Sequence, residues 1–184
     1  MRGHWAIDVA RLPGPQRGVP FVQDLEYPSP DKRHMALAYS VVEIRMGWDV
    51  GALALFRGPS DHPRPLITHG AVSVMPYGQK DPWLGGRFFA MTAYMWDKSE
   101  RVELPFIILD VETESLTYYP IMNSSICDLI GMPDGWQIKE RERDRRFASH
   151  HGEVIPYLKL QWFRFADGEA AKNAYWNGDL GRAT

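Results

Sequence analysis

The sequence predicts a mainly β protein in which successive antiparallel hairpins build a twisted sheet or sandwich, with one or two short helices. Three observations predict it. From Met35 to Met46 apolar side chains recur at every second position (Met35, Leu37, Tyr39, then Val42, Ile44, Met46), the period of a half-buried strand. Gly47-Trp48-Asp49 interrupts the run and Val50 to Phe56 resumes it, so 33–57 reads as a hairpin. The pattern then returns: Arg87 to Tyr94 leads to Trp96-Asp97 and on to Phe106-Ile107-Ile108-Leu109, with Pro28 and Pro82 standing the same distance before Arg33 and Arg87. A repeat of this length marks paired supersecondary units.

In chain order, residues 1–31 read as an irregular arm, because Pro13, Gly14, Pro15, Gly18, Pro20, Pro28 and Pro30 punctuate it. Within the arm, Val19-Pro20-Phe21-Val22 is a short edge-strand candidate. The first repeat unit covers about 28–75. After its hairpin, Arg57 to Pro65 is a loop by composition, and Leu66 to His69 and Ala71 to Met75 are two short strands separated by Gly70. Residues 76–86 form a second loop, and the second unit covers 82–121, with strands 87–95 and 103–111. There Glu112-Thr113-Glu114-Ser115 makes a tight turn into Leu116 to Ile121. Ser124-Ser125 caps one helical turn through Ile126 to Ile130, stopped by Gly131 and Pro133. A degenerate third unit, 136–165, pairs Trp136 to Phe147 with Ile155 to Leu160. Asp167 caps a terminal helix over Glu169 to Trp176.

At 184 residues the chain is expected to be one domain, 1–184, with enough length to bury a core unaided. The apolar fraction of 45% and the seven tryptophans argue for a packed interior rather than disorder. Lys plus Arg, 21, nearly balances Asp plus Glu, 23, so no net field draws nucleic acid or an anionic membrane. A single cysteine, Cys127, excludes an internal disulfide and fits a reducing compartment. No stretch has the length of a signal peptide or a membrane span, so a cytoplasmic location is expected.

The repeat resembles the blades of β-propellers of the WD40 or TolB-like kind over about residues 29–121. The residues that carry it are the Ser29-Pro30-Asp31 opening turn and the Asp110-Val111-Glu112-Thr113 closing turn. Two copies fall short of the four blades that a closed ring needs, so an open, blade-like sheet or sandwich is the expectation. Ser29-Pro30-Asp31 ahead of a strand ending Glu43-Ile44-Arg45-Met46 also resembles small bacterial β-rich proteins from toxin–immunity neighbourhoods. That resemblance implies a protein that neutralises a toxin by binding it.

Catalytic constellations are scarce. His150 and His151 are adjacent and point apart in an extended chain, and nothing in the spacing of His4, His34, His62 and His69 forces a metal site. Cys127 sits among apolar neighbours with no base nearby in sequence, which favours packing over nucleophilic chemistry. No Gly-x-Ser-x-Gly elbow and no glycine-rich phosphate loop is present, so no cofactor is expected. Glu43 and Arg45 share one strand face as an ordinary solvated pair.

The distinctive segment is Lys139 to Arg146. When extended, it sets Lys139, Arg141, Arg143 and Arg145 on one face and Glu140, Glu142 and Asp144 on the other. A charged edge that prevents aggregation is the plain reading. The sharper one is a docking strip for an acidic protein partner, in which Lys139, Arg141, Arg143, Arg145, Glu140 and Glu142 make the contacts. The expected function is therefore a non-enzymatic bacterial binding protein, with toxin neutralisation as its specific form. Two alternatives stand beside it. One is a hydrolase assembled from loops 57–65, 76–86 and 148–153. The other is a small-ligand or glycan binder using Trp83, Trp96 and Trp136 on loops.

Overall fold

Most of the alternating and continuous apolar runs among the described residues become strands, and the protein is mainly β with antiparallel sheets. The computed structural model describes residues 5–13, 23–45, 48–73, 82–96, 102–121, 127–132, 134–140 and 152–180. Two compact units divide the chain, Met1–Pro76 and Tyr77–Thr184.

In the first unit four strands follow one another as an antiparallel meander: β1 (Gln23–Pro28), β2 (His34–Arg45), β3 (Trp48–Arg57) and β4 (Arg64–Ser73). The predicted hairpin 33–57 is β2–β3, with Met35 opposite Phe56 and Leu37 opposite Ala54. Two expectations change. Residues 23–28 lie in strand β1, not in an irregular arm, because half-buried Leu25 and Tyr27 alternate with exposed Asp24 and Glu26. The candidate strand 19–22 falls outside the described residues. Leu66 to Ser73 is also one strand, since the register slips around Gly70 and absorbs it as a bulge while β4 continues.

The β1–β2 turn is held by its own side chains. Asp31 Oδ1 accepts from Ser29 Oγ at 2.6 Å and from the Arg33 amide at 3.0 Å, while Arg33 Nε donates to Oδ2 at 2.6 Å. The Ser29 hydrogen bond, the Arg33 amide and the Arg33 charge hold the Asp31 carboxyl well below the usual carboxylate range. From His34 to Tyr39 strand β2 is buried on both faces instead of one. Trp5, with Ile7, Val9 and Leu12, covers the face that carries Met35, Leu37, Tyr39, Ala54 and Phe56.

The second unit repeats the same pairing order. β5 (Trp83–Leu84), β6 (Phe88–Ala93), β9 (Phe106–Asp110) and β10 (Ser115–Tyr119) form a second antiparallel meander. A small hairpin of β7 (Met95–Trp96) and β8 (Val102–Glu103) occupies the β6–β9 connection. The strands β6, β9 and β10 are buried along their whole length, which explains their near-continuous apolar sequences.

One face of this meander is covered by helix α1 (Gly168–Asn177), with Tyr175 edge-on to Tyr118 at 5.8 Å. The helix lies where it was predicted, but Asp167 makes no side-chain capping bond. The opposite face is covered by a separate three-stranded sheet, β11 (Cys127–Met132), β12 (Gly135–Glu140) and β13 (Val154–Pro156). β14 (Phe163–Arg164) then returns to pair with β10, with Leu116 opposite Phe163. Two layered sheets within one unit match the predicted sandwich.

The predicted helical turn over 126–130 is instead strand β11. Cys127 and Leu129 point inward and Ile130 is exposed, a period of two that β12 enforces by pairing Leu129 with Ile138 and Ile130 with Gln137. The third hairpin is shorter than expected: Trp136 faces Ile155, but Tyr157–Lys159 curls into a 3₁₀ turn. Gly135 is obligatory there, because a Cβ would stand 2.1 Å from the Ile155 carbonyl oxygen. Cys127 is 2% exposed within the core. Cys127→Ala is expected to cost on the order of 1 kcal/mol in a urea melt and to leave any function intact.

Candidate interaction surface

The three-stranded sheet has an inner face and an outer face fixed by its register. Cys127, Leu129, Trp136, Ile138 and Ile155 point inward to Leu84, Phe88, Phe106, Ile108 and Tyr119. The outer face consists of three cross-strand rows: Asp128 with Lys139, Ile130 with Gln137 and Val154, and Met132 with Gly135 and Pro156. Ile130 and Met132 are each 40% exposed and Val154 is 46% exposed. Leu158, in the 3₁₀ turn that follows β13, is fully exposed. The turn is pinned beside Met132, because Tyr157 Oη donates to the Met132 carbonyl at 3.2 Å and Trp162 Nε1 donates to the Tyr157 carbonyl at 3.4 Å. A sheet face open to water ordinarily presents polar side chains. Four of the six large apolar side chains exposed among the described residues lie on this sheet or the turn beside it, which makes it the candidate surface.

The sheet is anchored from beneath. Tyr119 Oη donates to Glu153 Oε1, tying β10 to the residue before β13. Burial pushes the Tyr119 hydroxyl up, and the bond to Glu153 and the glutamate's charge push it further, so this hydroxyl stays protonated and donating. Phe88 stacks on Tyr157 at 5.2 Å and meets Trp136 edge-on at 4.8 Å. Arg87 lies over Phe88 at 4.8 Å and grips buried Asp110 through two bonds, 3.0 and 2.6 Å. Burial alone would raise the Asp110 carboxyl. The bonds from Arg87, Thr113 and the Glu112 amide, with the Arg87 charge, more than reverse that, and the net shift is downward. The hydrogen bonds that Arg87 donates to Asp110 raise the guanidinium in turn.

Of the predicted strip, Lys139 is exposed in the outer Asp128–Lys139 row. Glu140 pairs through its backbone with Cys127, and its side chain is outside the described ones. Arg141, Glu142, Arg143 and Arg145 lie outside the described residues. The sequence reading missed Ile130, Met132, Val154 and Leu158. The signal for the first two was the alternation of 127–132, concealed by reading that segment as a helical turn. No protein-family model, curated protein or solved structure matches this chain.

Of the other candidates, His4, His150, His151 and the loop segments 76–81 and 148–151 lie outside the described residues. His34 and His69 are buried: Arg57 Nε donates to His34 Nε2 at 3.3 Å, and His69 Nδ1 lies 2.9 Å from the Gly70 carbonyl. In loop 57–65, Asp61 and His62 are exposed and 4.0 Å apart. Among the described residues no group of three His, Cys, Asp or Glu side chains is placed to hold a metal. Trp83 and Trp136, expected on loops, are buried in strands β5 and β12, because both supply the aromatic contacts that close the core. Trp96 alone of the three is open to solvent, stacked on Tyr94 at 5.6 Å.

Proposed function

We propose that this chain is a non-enzymatic bacterial protein that binds another protein through the outer face of the β11–β13 sheet, as a toxin-neutralising immunity protein does. The observation that carries the proposal is the row Ile130–Gln137–Val154 with Met132 and Leu158 beside it, apolar where a solvated sheet face is ordinarily polar. Lys139 adds a cation to the same face, and Arg141, Arg143 and Arg145 follow it in sequence. The partner is accordingly apolar where it meets Ile130 and Val154 and acidic where it meets Lys139. The antiparallel four-strand meander in each unit is in keeping with the blade-like repeat read from the sequence.

The test is affinity capture from the native host with three forms of the chain: unaltered, Ile130→Glu/Val154→Glu, and Arg141→Glu/Arg143→Glu/Arg145→Glu. Ile130 and Val154 are exposed, so their variant should melt close to the parent, and the arginine variant is used once its melting temperature has been checked. One acidic protein should be retained by the parent and lost from both variants, with affinity down about tenfold or more. Its association should slow as salt rises. A partner held equally by both well-folded variants would remove this surface from the argument, and turnover of a small substrate without any partner would return the case to the hydrolase alternative.

A further inference from the structure

We infer that the partner adds an extended segment to the open edge of β11, so that recognition includes main-chain pairing as well as side-chain contact. This rests on the binding role proposed above and specifies how the surface is used. β11 ends the three-stranded sheet, and among the described residues it pairs with β12 on one side only. Its free side can be identified from the ladder. The Ile138 amide donates to the Glu153 carbonyl and the Ile138 carbonyl accepts from the Gly152 amide, each at 2.8 Å, so Ile138 directs both peptide groups toward β13. In an antiparallel ladder the residue opposite, Leu129, therefore turns its own N–H and C=O away from β12, and Gly131, two residues on, does the same.

Native edges are usually blunted by charge, proline or a bulge. From Leu129 to Met132 this one carries none of these; Ile130, Gly131 and Met132 are exposed, and a Cβ placed on Gly131 would meet no atom within 4 Å. The edge has one charge, Asp128, at its far end. An incoming antiparallel strand would place a side chain beside each outer-face residue of β11. Complementarity then asks for apolar residues opposite Met132 and Ile130 and a lysine or arginine opposite Asp128. An acidic residue at that last position would be repelled. The occupant is thus a stretch of the protein partner with apolar residues at alternate positions and a basic residue two positions beyond them.

A synthetic peptide, acetyl-Thr-Val-Thr-Val-Thr-Lys-Thr-amide, serves as the probe, titrated into the full chain and followed by amide hydrogen exchange. Saturable binding is expected, with exchange slowed at the Leu129 and Gly131 amides. N-methylation of the third and fifth peptide amides, which face Gly131 and Leu129, should weaken binding about tenfold or more. Glutamate in place of the peptide lysine should also weaken it. Absence of saturable binding, indifference to N-methylation, or unchanged exchange at Leu129 and Gly131 would each overturn the inference. Gly131→Pro separates it from the broader proposal: its N–H faces the edge, so proline there costs no bond within the sheet. A host partner lost with Ile130→Glu/Val154→Glu yet kept by a folded Gly131→Pro chain would leave the binding surface standing and remove strand addition.

Discussion

Trp136→Ala is expected to be the most damaging single change in the second unit, lowering stability by about 3 to 5 kcal/mol in chemical denaturation. The indole is fully buried and perpendicular to both Phe88, at 4.8 Å, and Tyr157, at 4.5 Å. Truncation leaves a cavity bordered by aromatic rings that cannot collapse together, because Phe88 is tied to β6 and Tyr157 to the turn after β13. Trp136→Phe should cost much less, about 1 to 2 kcal/mol. Among the described residues the indole Nε1 has no hydrogen-bond partner, so phenylalanine forfeits packing volume and no hydrogen bond seen there. Equal losses for the two variants would show that Trp136 contributes something other than buried apolar bulk.

The second large effect is expected at Asp110. Its Oδ1 accepts from the Glu112 amide at 3.0 Å and the Thr113 amide at 3.4 Å, and the carboxylate also receives Arg87. One side chain thus closes the β9–β10 turn and fixes the cation above Phe88. Asp110→Ala removes every one of these bonds and should cost about 2 to 3 kcal/mol. Arg87 is 42% exposed, so solvent relieves part of its lost pairing and keeps the figure below that of a fully buried pair. Asp110→Asn keeps an acceptor for the turn and should lose about 1 kcal/mol.

The pH dependence separates charge from geometry. Because the folded carboxyl is held below its ordinary value, its contribution is fully present above that value and disappears as pH falls toward the lowered one. The parent melting temperature should therefore fall more steeply than that of Asp110→Asn as pH drops below about 5. Parallel slopes would mean that other carboxylates, Asp31 among them, dominate acid unfolding.

Strand identity was legible wherever apolar residues alternate or run together between polar corners. The strands His34–Arg45 and Trp48–Arg57, and Phe88–Ala93, Phe106–Asp110 and Ser115–Tyr119, were legible for that reason, while the small hairpin of β7 and β8 between Ala93 and Phe106 was not. The double burial of β2 was not legible: Ala36 and Ala38 are small enough to read as the weak side of an amphipathic strand, yet they lie on a second packed face. β1 was hidden by the prolines around it, which describe the connections better than the six residues between them. Cys127 to Met132 was misread because a short apolar run has no intrinsic helix or strand period. Its partner β12, reached through a tight turn, decides the matter by cross-strand pairing. The charged run from Lys139 to Arg146 was easy to see in the sequence and the apolar outer face of β11–β13 was not, since surface exposure of Ile130, Met132 and Val154 follows from register rather than composition.

Among the described residues the chain leaves the meander after Tyr119 and next pairs with it at Phe163, beside the strand it left. The three-stranded sheet is therefore a detour whose entry and exit are closed by β10 and β14. Separating its inner side chains from the meander breaks no ladder bond between β9 and β10. Opening it would expose the cluster that its inner side chains share with Leu84, Phe88, Phe106, Ile108 and Tyr119. A partner bound to the outer face, as proposed, would favour the closed arrangement and so stabilise the aromatic core below it.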